Sequence, residues 1–81
     1  MSININDVFT IIDNNNEAII KITKIINNQY YYKVLQGYSR FSYFTKNSLF
    51  YNSYINKQAV EGYNYTYKLI KMSKLKAKFY E

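Results

Sequence analysis

The sequence predicts a mainly β protein: a small barrel or a strongly bent antiparallel meander of about five to six strands, with one or two short helical turns. Three observations predict this class. Apolar and polar residues alternate in separate segments, β-branched and aromatic residues fill those segments, and turns containing asparagine or glycine separate them. The 81 residues suffice for one core, so we expect a single domain over residues 1–81. Its barrel-like core spans residues 7–71, and a basic segment follows over residues 72–81.

The first two strands are predicted on either side of an asparagine turn. Residues 8–12 form a β-branched and aromatic run, which predicts the first strand. The asparagines at 14–16 suit a tight turn, because asparagine tolerates positive φ better than other non-glycine residues. Alternation over residues 18–26 predicts a half-buried second strand. Lys24 interrupts its apolar face, either because the side chain reaches solvent from a barrel end or because a bulge reverses the alternation.

Two further strands complete the predicted meander. The asparagine pair at 27–28 predicts a two-residue hairpin turn. Residues 30–35 carry apolar bulk on both faces, which is typical of a central strand. Gly37 is free to adopt positive φ in the next turn, and residues 40–45 predict the fourth strand.

The second half of the chain has weaker periodicity. Residues 46–62 fit neither the helical nor the strand period, although Asn47 and Ser48 predict the cap of a single helical turn. Residues 56–61, closed by Gly62, predict a second helical turn. Residues 63–69 show the cleanest alternation of the chain and predict a strand.

The C-terminal segment fits two templates. In a strand, which we favour, Lys74, Lys76 and Lys78 lie on one side at a spacing of about 7 Å, and we expect them to form a partner-binding face. In a helix the three lysines point in different directions. The helical alternative rests on apolar residues at spacings of three, three and four: Leu69, Met72, Leu75 and Phe79.

The alternation also predicts which side chains form the core. We expect six residues to be buried: Ile20, Ile22, Tyr32, Val34, Tyr65 and Tyr67. Tyr30 and Tyr63 are expected in the core or on a sheet face, whereas Tyr31, Tyr38 and Tyr54 are expected to be exposed.

Composition predicts a protein without catalytic, cofactor-binding or metal-binding residues. The chain has no cysteine and no histidine, which excludes thiolate zinc sites, nucleophilic Cys/His pairs and the usual general base. Asp7, Asp13 and Glu17 lie near the first turn, where two carboxylates could hold Mg²⁺, but acids beside a hairpin more often only solvate its ends. No apolar run is long enough to span a membrane and no signal peptide is evident, so we expect a cytoplasmic protein.

The charge and the aromatic content point to a charged partner. The net charge is +6 and 20% of the residues are aromatic, a combination typical of nucleic-acid binding, although A/T-rich codons produce the same composition whatever the function. We predict these partner-binding residues: Lys33, Lys68, Lys71, Lys74, Lys76, Lys78, Arg40, Tyr31, Tyr38 and Tyr54. Their partner is a protein, a nucleoprotein or a nucleic acid, and an exposed strand edge also permits a homodimer.

The order of elements resembles an SH3-like small barrel of the kind found in KOW and Tudor modules. The resemblance covers roughly residues 7–55 and is carried by these runs with the turns between them: 7–11, 19–22, 31–35, 41–44 and 46–50. It implies strands in succession, then a short helical turn and a further strand. The segment over residues 63–81 departs from that pattern.

Small, basic chains rich in asparagine and tyrosine are also similar to accessory proteins of low-GC phages, including anti-CRISPR proteins. That resemblance implies a non-enzymatic inhibitor in a bacterial host cell, which acts by stoichiometric occlusion of a nucleoprotein or nuclease. Two alternatives stay open. One is direct nucleic-acid binding by an SH3-like or OB-like module, and the other is a self-assembling structural or interaction protein.

Overall fold

The computed structural model describes residues 2–58, 60–62 and 65–80. Its strands and helices follow this order: β1 (Val8–Asp13), β2 (Asn16–Ile26), β3 (Gln29–Gly37), β4 (Tyr43–Thr45), α1 (Leu49–Asn56), β5 (Val60–Gly62), β6 (Tyr65–Lys71), α2 (Lys74–Ala77) and a 3₁₀ turn (Lys78–Tyr80). The strands form one sheet in the order β4-β3-β2-β1-β6-β5, and every neighbouring pair is antiparallel. The mainly β class with short helices is therefore confirmed.

The centre of the sheet is β1, which pairs with both β2 and β6. Phe9 lies opposite Ile20 of β2. Ile11 lies opposite Ala18 of β2 and Leu69 of β6. Directly opposed residues share a face of the sheet, so these side chains form one apolar inner face. Phe9 and Ile20 have no exposed surface.

The core lies between this inner face and α1. Phe50 and Tyr54 are the buried aromatic residues of the helix, and Tyr54 packs edge-on against Phe9 with ring centroids 5.4 Å apart. Ser48 caps the helix, as the sequence predicts, because its Oγ accepts a hydrogen bond from the Tyr51 amide. The expectation that Tyr54 is exposed is wrong, since the helix is two turns long and turns this residue toward the sheet.

The predicted helical turn over residues 56–61 is also wrong. Asn56 is the last residue of α1, Lys57 ends the helix in a left-handed conformation, and residues 60–62 form β5. Position 59 lies outside the described residues. Within the described residues, the short strand β5 pairs with Tyr65–Tyr67 and does not reach the Leu69 amide of β6. Ser53 of α1 binds this amide instead, because its buried Oγ accepts a 2.8 Å hydrogen bond from it.

The asparagine turns are confirmed. Asn27 and Asn28 have φ values of 48° and 65° and join Ile26 to Gln29, which are direct partners in the hairpin. Asn14 also has positive φ, in the turn between β1 and β2. Positive φ at both central residues gives a twist that matches the flanking strands.

Two β-bulges interrupt the pairing of β2 with β3. Ile22 lies opposite Tyr32 while Lys24 lies opposite Tyr31, which leaves Thr23 without a direct partner. The bulge predicted as one explanation for Lys24 is therefore present. The second irregularity leaves Leu35 without a direct partner on β3.

The predicted core is confirmed at Ile20, Ile22 and Tyr32, and Tyr30 is buried as well. Tyr67 is partly buried against the core cluster. Val34 was expected in the core, but 42% of its surface is exposed. It lies opposite Ile20 on the inner face, but β4 pairs only with residues 29–31 and leaves this half of β3 uncovered. The side chains at positions 63 and 65 lie outside the described part.

The favoured strand over the C-terminal segment is wrong, because residues 74–77 form a helix and residues 78–80 a 3₁₀ turn. The apolar face on which the helical alternative rests is not formed, since Leu69 lies in β6 and Leu75 and Phe79 are exposed.

Among the described residues, the last backbone hydrogen bond between β1 and the β6 segment joins the Met72 amide to the Val8 carbonyl, and α2 begins two residues later. Ser73 then caps α2 by accepting a hydrogen bond from the Lys76 amide. In a helix, alternate residues differ in direction by roughly 200°. The regular lysine array that a strand would form is therefore absent.

Gly37 is essential for the contact between β3 and β2. Its φ is 84°, and a Cβ at this position would collide with the backbone carbonyl oxygen of Glu17. We expect Gly37→Ala to lower the free energy of unfolding by on the order of 1–3 kcal/mol, because alanine is strained at this φ. Urea denaturation measures the loss. The neighbouring exposed Gln36→Ala is the control, and equal stability of the two variants would contradict the assignment.

Two core tyrosines make stability depend on high pH. Burial raises the pKa of Tyr30, and the neighbouring Tyr51 raises it further. Burial also raises the pKa of Tyr32, although a hydrogen bond with Ser39 acts in the opposite direction. The unfolded chain loses these protons near pH 10, so above that pH the folded protein binds more protons. We expect the free energy of unfolding to fall as pH rises above about 10. Urea titrations should show a shallower fall in Tyr30→Phe, and an unchanged fall would contradict this origin.

Candidate nucleic-acid interface

The most distinctive surface is the outer face of β2, β3 and β4, opposite the core. We call it the basic outer face and define it by five residues: Lys21, Lys24, Lys33, Tyr31 and Tyr43. It follows from the alternation of side chains along each strand. Because Ile20, Ile22 and Tyr32 point into the core, the residues between or beside them point outward.

Two lysines of this face are direct cross-strand partners. Lys21 of β2 lies opposite Lys33 of β3. Directly opposed residues have Cβ atoms about 4.5–5.5 Å apart, and like charges at this distance destabilise a sheet. Among residues 2–58, 60–62 and 65–80, no carboxylate forms an ion pair with either lysine. The pair is therefore a site of uncompensated positive charge.

Beside the lysine pair, three side chains stack across the strands. Lys24 Nζ lies 5.3 Å from the centroid of the Tyr31 ring, and the Tyr31 and Tyr43 rings stack with centroids 5.2 Å apart at 28°. We call this arrangement the Lys24–Tyr31–Tyr43 column. The Tyr31 hydroxyl donates a 2.9 Å hydrogen bond to Gln29 Oε1, which fixes the middle ring. Tyr43, at the end of the column, is 43% exposed.

The C-terminal segment covers part of the same side of the sheet. Ala77 and Lys21 line one cavity together with Val8, which is buried although it points away from the core. A second cavity of about 300 Å³ is lined by Lys76 of α2 and by Gln36 of β3. α2 therefore lies beside the lysine pair and brings its own positive charge to this side of the molecule.

Among the predicted site residues, Lys33 and Tyr31 lie on the basic outer face. Lys74, Lys76 and Lys78 lie in the C-terminal segment on the same side, but without a common direction. Lys68 lies opposite Ile12, on the outer face of β6. Tyr38 is exposed as predicted, at 61%, just after β3.

Other predicted site residues are engaged within the fold instead. Arg40 donates two hydrogen bonds to the buried carboxylate of Asp13, Nε to Oδ2 at 2.6 Å and Nη2 to Oδ1 at 3.0 Å. These hydrogen bonds raise the pKa of Arg40. Lys71 forms an ion pair with Asp7 at 3.2 Å, and Tyr54 is in the core. We assign these three side chains structural contacts rather than partner contacts.

The acidic residues near the first turn do not converge. Asp7 lies just before β1 and Asp13 ends it, and each pairs with a different basic residue. Glu17 is exposed on β2. In the described part of the chain, no three carboxylates come together as ligands for a metal ion.

Sequence analysis missed Lys21, Lys24 and Tyr43 as members of the site. The alternation around Lys21 was visible and placed this residue on the polar face of the second strand. Its partner on the third strand was not visible. The bulge at Thr23 shifts the pairing by one residue, and only this shift brings Lys21 opposite Lys33.

Charge reversal tests whether the two lysines repel each other. We expect Lys33→Glu and Lys21→Glu each to raise the free energy of unfolding by about 0.2–1 kcal/mol, because each creates an opposite-charge pair. The double variant should lose both gains, since two carboxylates again repel. A double-mutant cycle by urea denaturation measures the coupling. If the changes in the free energy of unfolding of the two single variants add in the double variant, stability depends only on net charge, which would contradict a direct interaction between the two lysines.

Comparison with known proteins gives no relative for this chain: no family model, no curated protein and no solved structure matches it. None of the helices in the described residues has the length and apolar composition needed to cross a membrane. Function is therefore inferred from the basic outer face and its geometry.

Proposed function

We propose that this protein is a non-enzymatic binding protein whose basic outer face binds the phosphate backbone of a nucleic acid. The observation that carries the proposal is the directly opposed pair of Lys21 and Lys33. Their repulsion opposes folding, and among the described residues no carboxylate relieves it. A bound polyanion would screen the two charges, so the loss of this repulsion would add to the free energy of binding.

A nucleic acid suits this surface better than a single anionic group. Lys24 continues the lysine pair along β2, and Lys76 of α2 lines a cavity with Gln36 on the same side of the sheet, so the positive charge extends beyond the pair. An extended array of lysines contacts successive phosphates and releases the condensed counterions. The net charge of +6 adds long-range attraction toward a polyanion.

The expected similarity to SH3-like modules agrees with this proposal. Its support is the succession of four strands, a short helix and a further strand from β1 to β5. Strand β6 and helix α2 lie outside that succession. We propose the similarity as one of element order, and the nucleic-acid proposal does not depend on it.

Occlusion of a nucleoprotein, as in anti-CRISPR-type inhibitors, is a second candidate function. The observation in its favour is an exposed apolar pair at the C-terminus: Leu75 is 75% exposed and Phe79 is 83% exposed. Leu75 lies in α2 and Phe79 in the 3₁₀ turn that follows, and exposed apolar side chains of a short helical segment typically enter a pocket of a partner protein. A nucleoprotein target would offer a pocket to this pair and phosphates to the basic outer face.

The salt dependence of binding tests the main proposal. We expect the Lys21→Gln/Lys33→Gln variant to bind an oligonucleotide more weakly than the wild type. We also expect the magnitude of its log-affinity versus log-salt slope to fall by about 1.4 for a single strand and 1.8 for a duplex. Fluorescence anisotropy over a series of salt concentrations measures both quantities.

Lys57→Gln is the control for loss of charge alone, because Lys57 ends α1 away from the basic outer face. We expect this variant to keep the wild-type slope. If the double variant and the control give the same slope as the wild type, the lysine pair does not contact phosphate. Absence of binding to single-stranded and duplex DNA and RNA would contradict the function itself.

A further inference from the structure

We infer that the basic outer face selects single-stranded nucleic acid by stacking an unpaired base on the open side of Tyr43. The inference rests on the proposed function, since it assumes that Lys21 and Lys33 hold the backbone. It adds a second kind of contact, which depends on the base and not on charge.

The Lys24–Tyr31–Tyr43 column ends at Tyr43, at the edge of the sheet that the described strands form. Lys24 lies against one face of the Tyr31 ring, and Tyr43 from the neighbouring strand stacks on Tyr31. Tyr43 belongs to β4, which is the last strand on that side of the sheet. No further strand of the described chain therefore packs against it, and the residue keeps 43% of its surface exposed.

Space for a planar group adjoins this ring. Tyr43 lines a cavity of about 320 Å³ at the β4 edge, between this strand and the start of α1. Its other walls include the partly exposed Phe41 and Leu49 and the core residues Phe44 and Phe50. The walls of the cavity are mainly apolar and aromatic, which suits the face of a base rather than its polar edge. A base on Tyr43 would extend the existing column by one ring.

The platform is held in place before any ligand binds. On the outer face β3 and β4 are joined by the Tyr31–Tyr43 stack, and on the inner face by the stack of Tyr30 on Phe44, with centroids 5.2 Å apart. The two strands also share backbone pairing over residues 43–45. Little side-chain freedom remains to be lost on binding, which favours affinity.

An unpaired base fits this platform, whereas a duplex does not. Bases inside a duplex already stack on their neighbours, so their faces are not accessible to a protein ring. In a single strand every base exposes a face, and aromatic stacking accepts any of the bases. The neighbouring lysine pair would hold the phosphates on either side of the stacked base.

Three probes of similar length separate base stacking from charge. They are a single strand of about 15 thymidines, an abasic strand with the same number of phosphates, and a duplex, all measured by fluorescence anisotropy at one salt concentration. We expect the thymidine strand to bind more tightly than the abasic strand and the duplex. We expect Tyr43→Leu to weaken binding of the thymidine strand about 5- to 150-fold and to leave the abasic strand unchanged.

Tyr43→Phe is the matched control, because it retains the ring and should retain the affinity. Equal affinities of the wild type for the thymidine and abasic strands would overturn the inference and leave the proposed function intact. A preference for the duplex would also overturn it. Absence of binding to all three probes would overturn the proposed function as well. If Tyr43→Leu fails to fold, the affinities of the wild-type protein for the thymidine and abasic oligonucleotides still test the inference.

Discussion

The bulge at Thr23 is the constraint on which the inner and outer faces of the sheet both depend. The Asn27–Asn28 turn pairs Ile25 with Tyr30 and Lys24 with Tyr31. If the same register continued along the hairpin, Ile22 would lie opposite Lys33 and share a face with its charge. The bulge shifts the pairing by one residue and places Ile22 opposite Tyr32 instead. The inner face thereby becomes apolar, and Lys21 joins Lys33 on the outer face.

The lysine pair is therefore a by-product of the register that the core requires. Between Thr23 and the second bulge at Leu35, every inward residue of β2 meets an inward residue of β3, so Lys21 necessarily meets Lys33. A single lysine at either position would have folded without repulsion. The presence of lysine at both positions is what makes this contact repulsive, in contrast to the ordinary solvation of a strand by one charged side chain.

Local patterns predicted the features that depend on neighbours in sequence. A β-branched and aromatic run located β1, alternation located β2 and β6, and asparagine located the turns, because residue preference, strand period and positive φ act over a few residues. Features that depend on distant partners were not predictable. The exposure of Val34 depends on where β4 ends, the burial of Tyr54 on the sheet below α1, and the lysine pair on a bulge. The C-terminal segment had two locally acceptable templates, and the strand gives way to the helix just after the hydrogen bond between Met72 and Val8.

The two edge strands, β4 and β5, have three residues each in the described part of the chain, and short edge strands are one way in which proteins avoid self-association through the backbone. A long flat edge is a template on which other chains add strands and grow into fibrils. A proline-free chain with 11 tyrosines and 5 phenylalanines would be a ready substrate for such growth. An edge of three residues offers an incoming strand few hydrogen bonds, and along the uncovered part of β6 Ser53 already occupies the Leu69 amide. At β4 itself, an incoming strand would therefore find little backbone to pair with, although this edge carries the exposed ring of Tyr43.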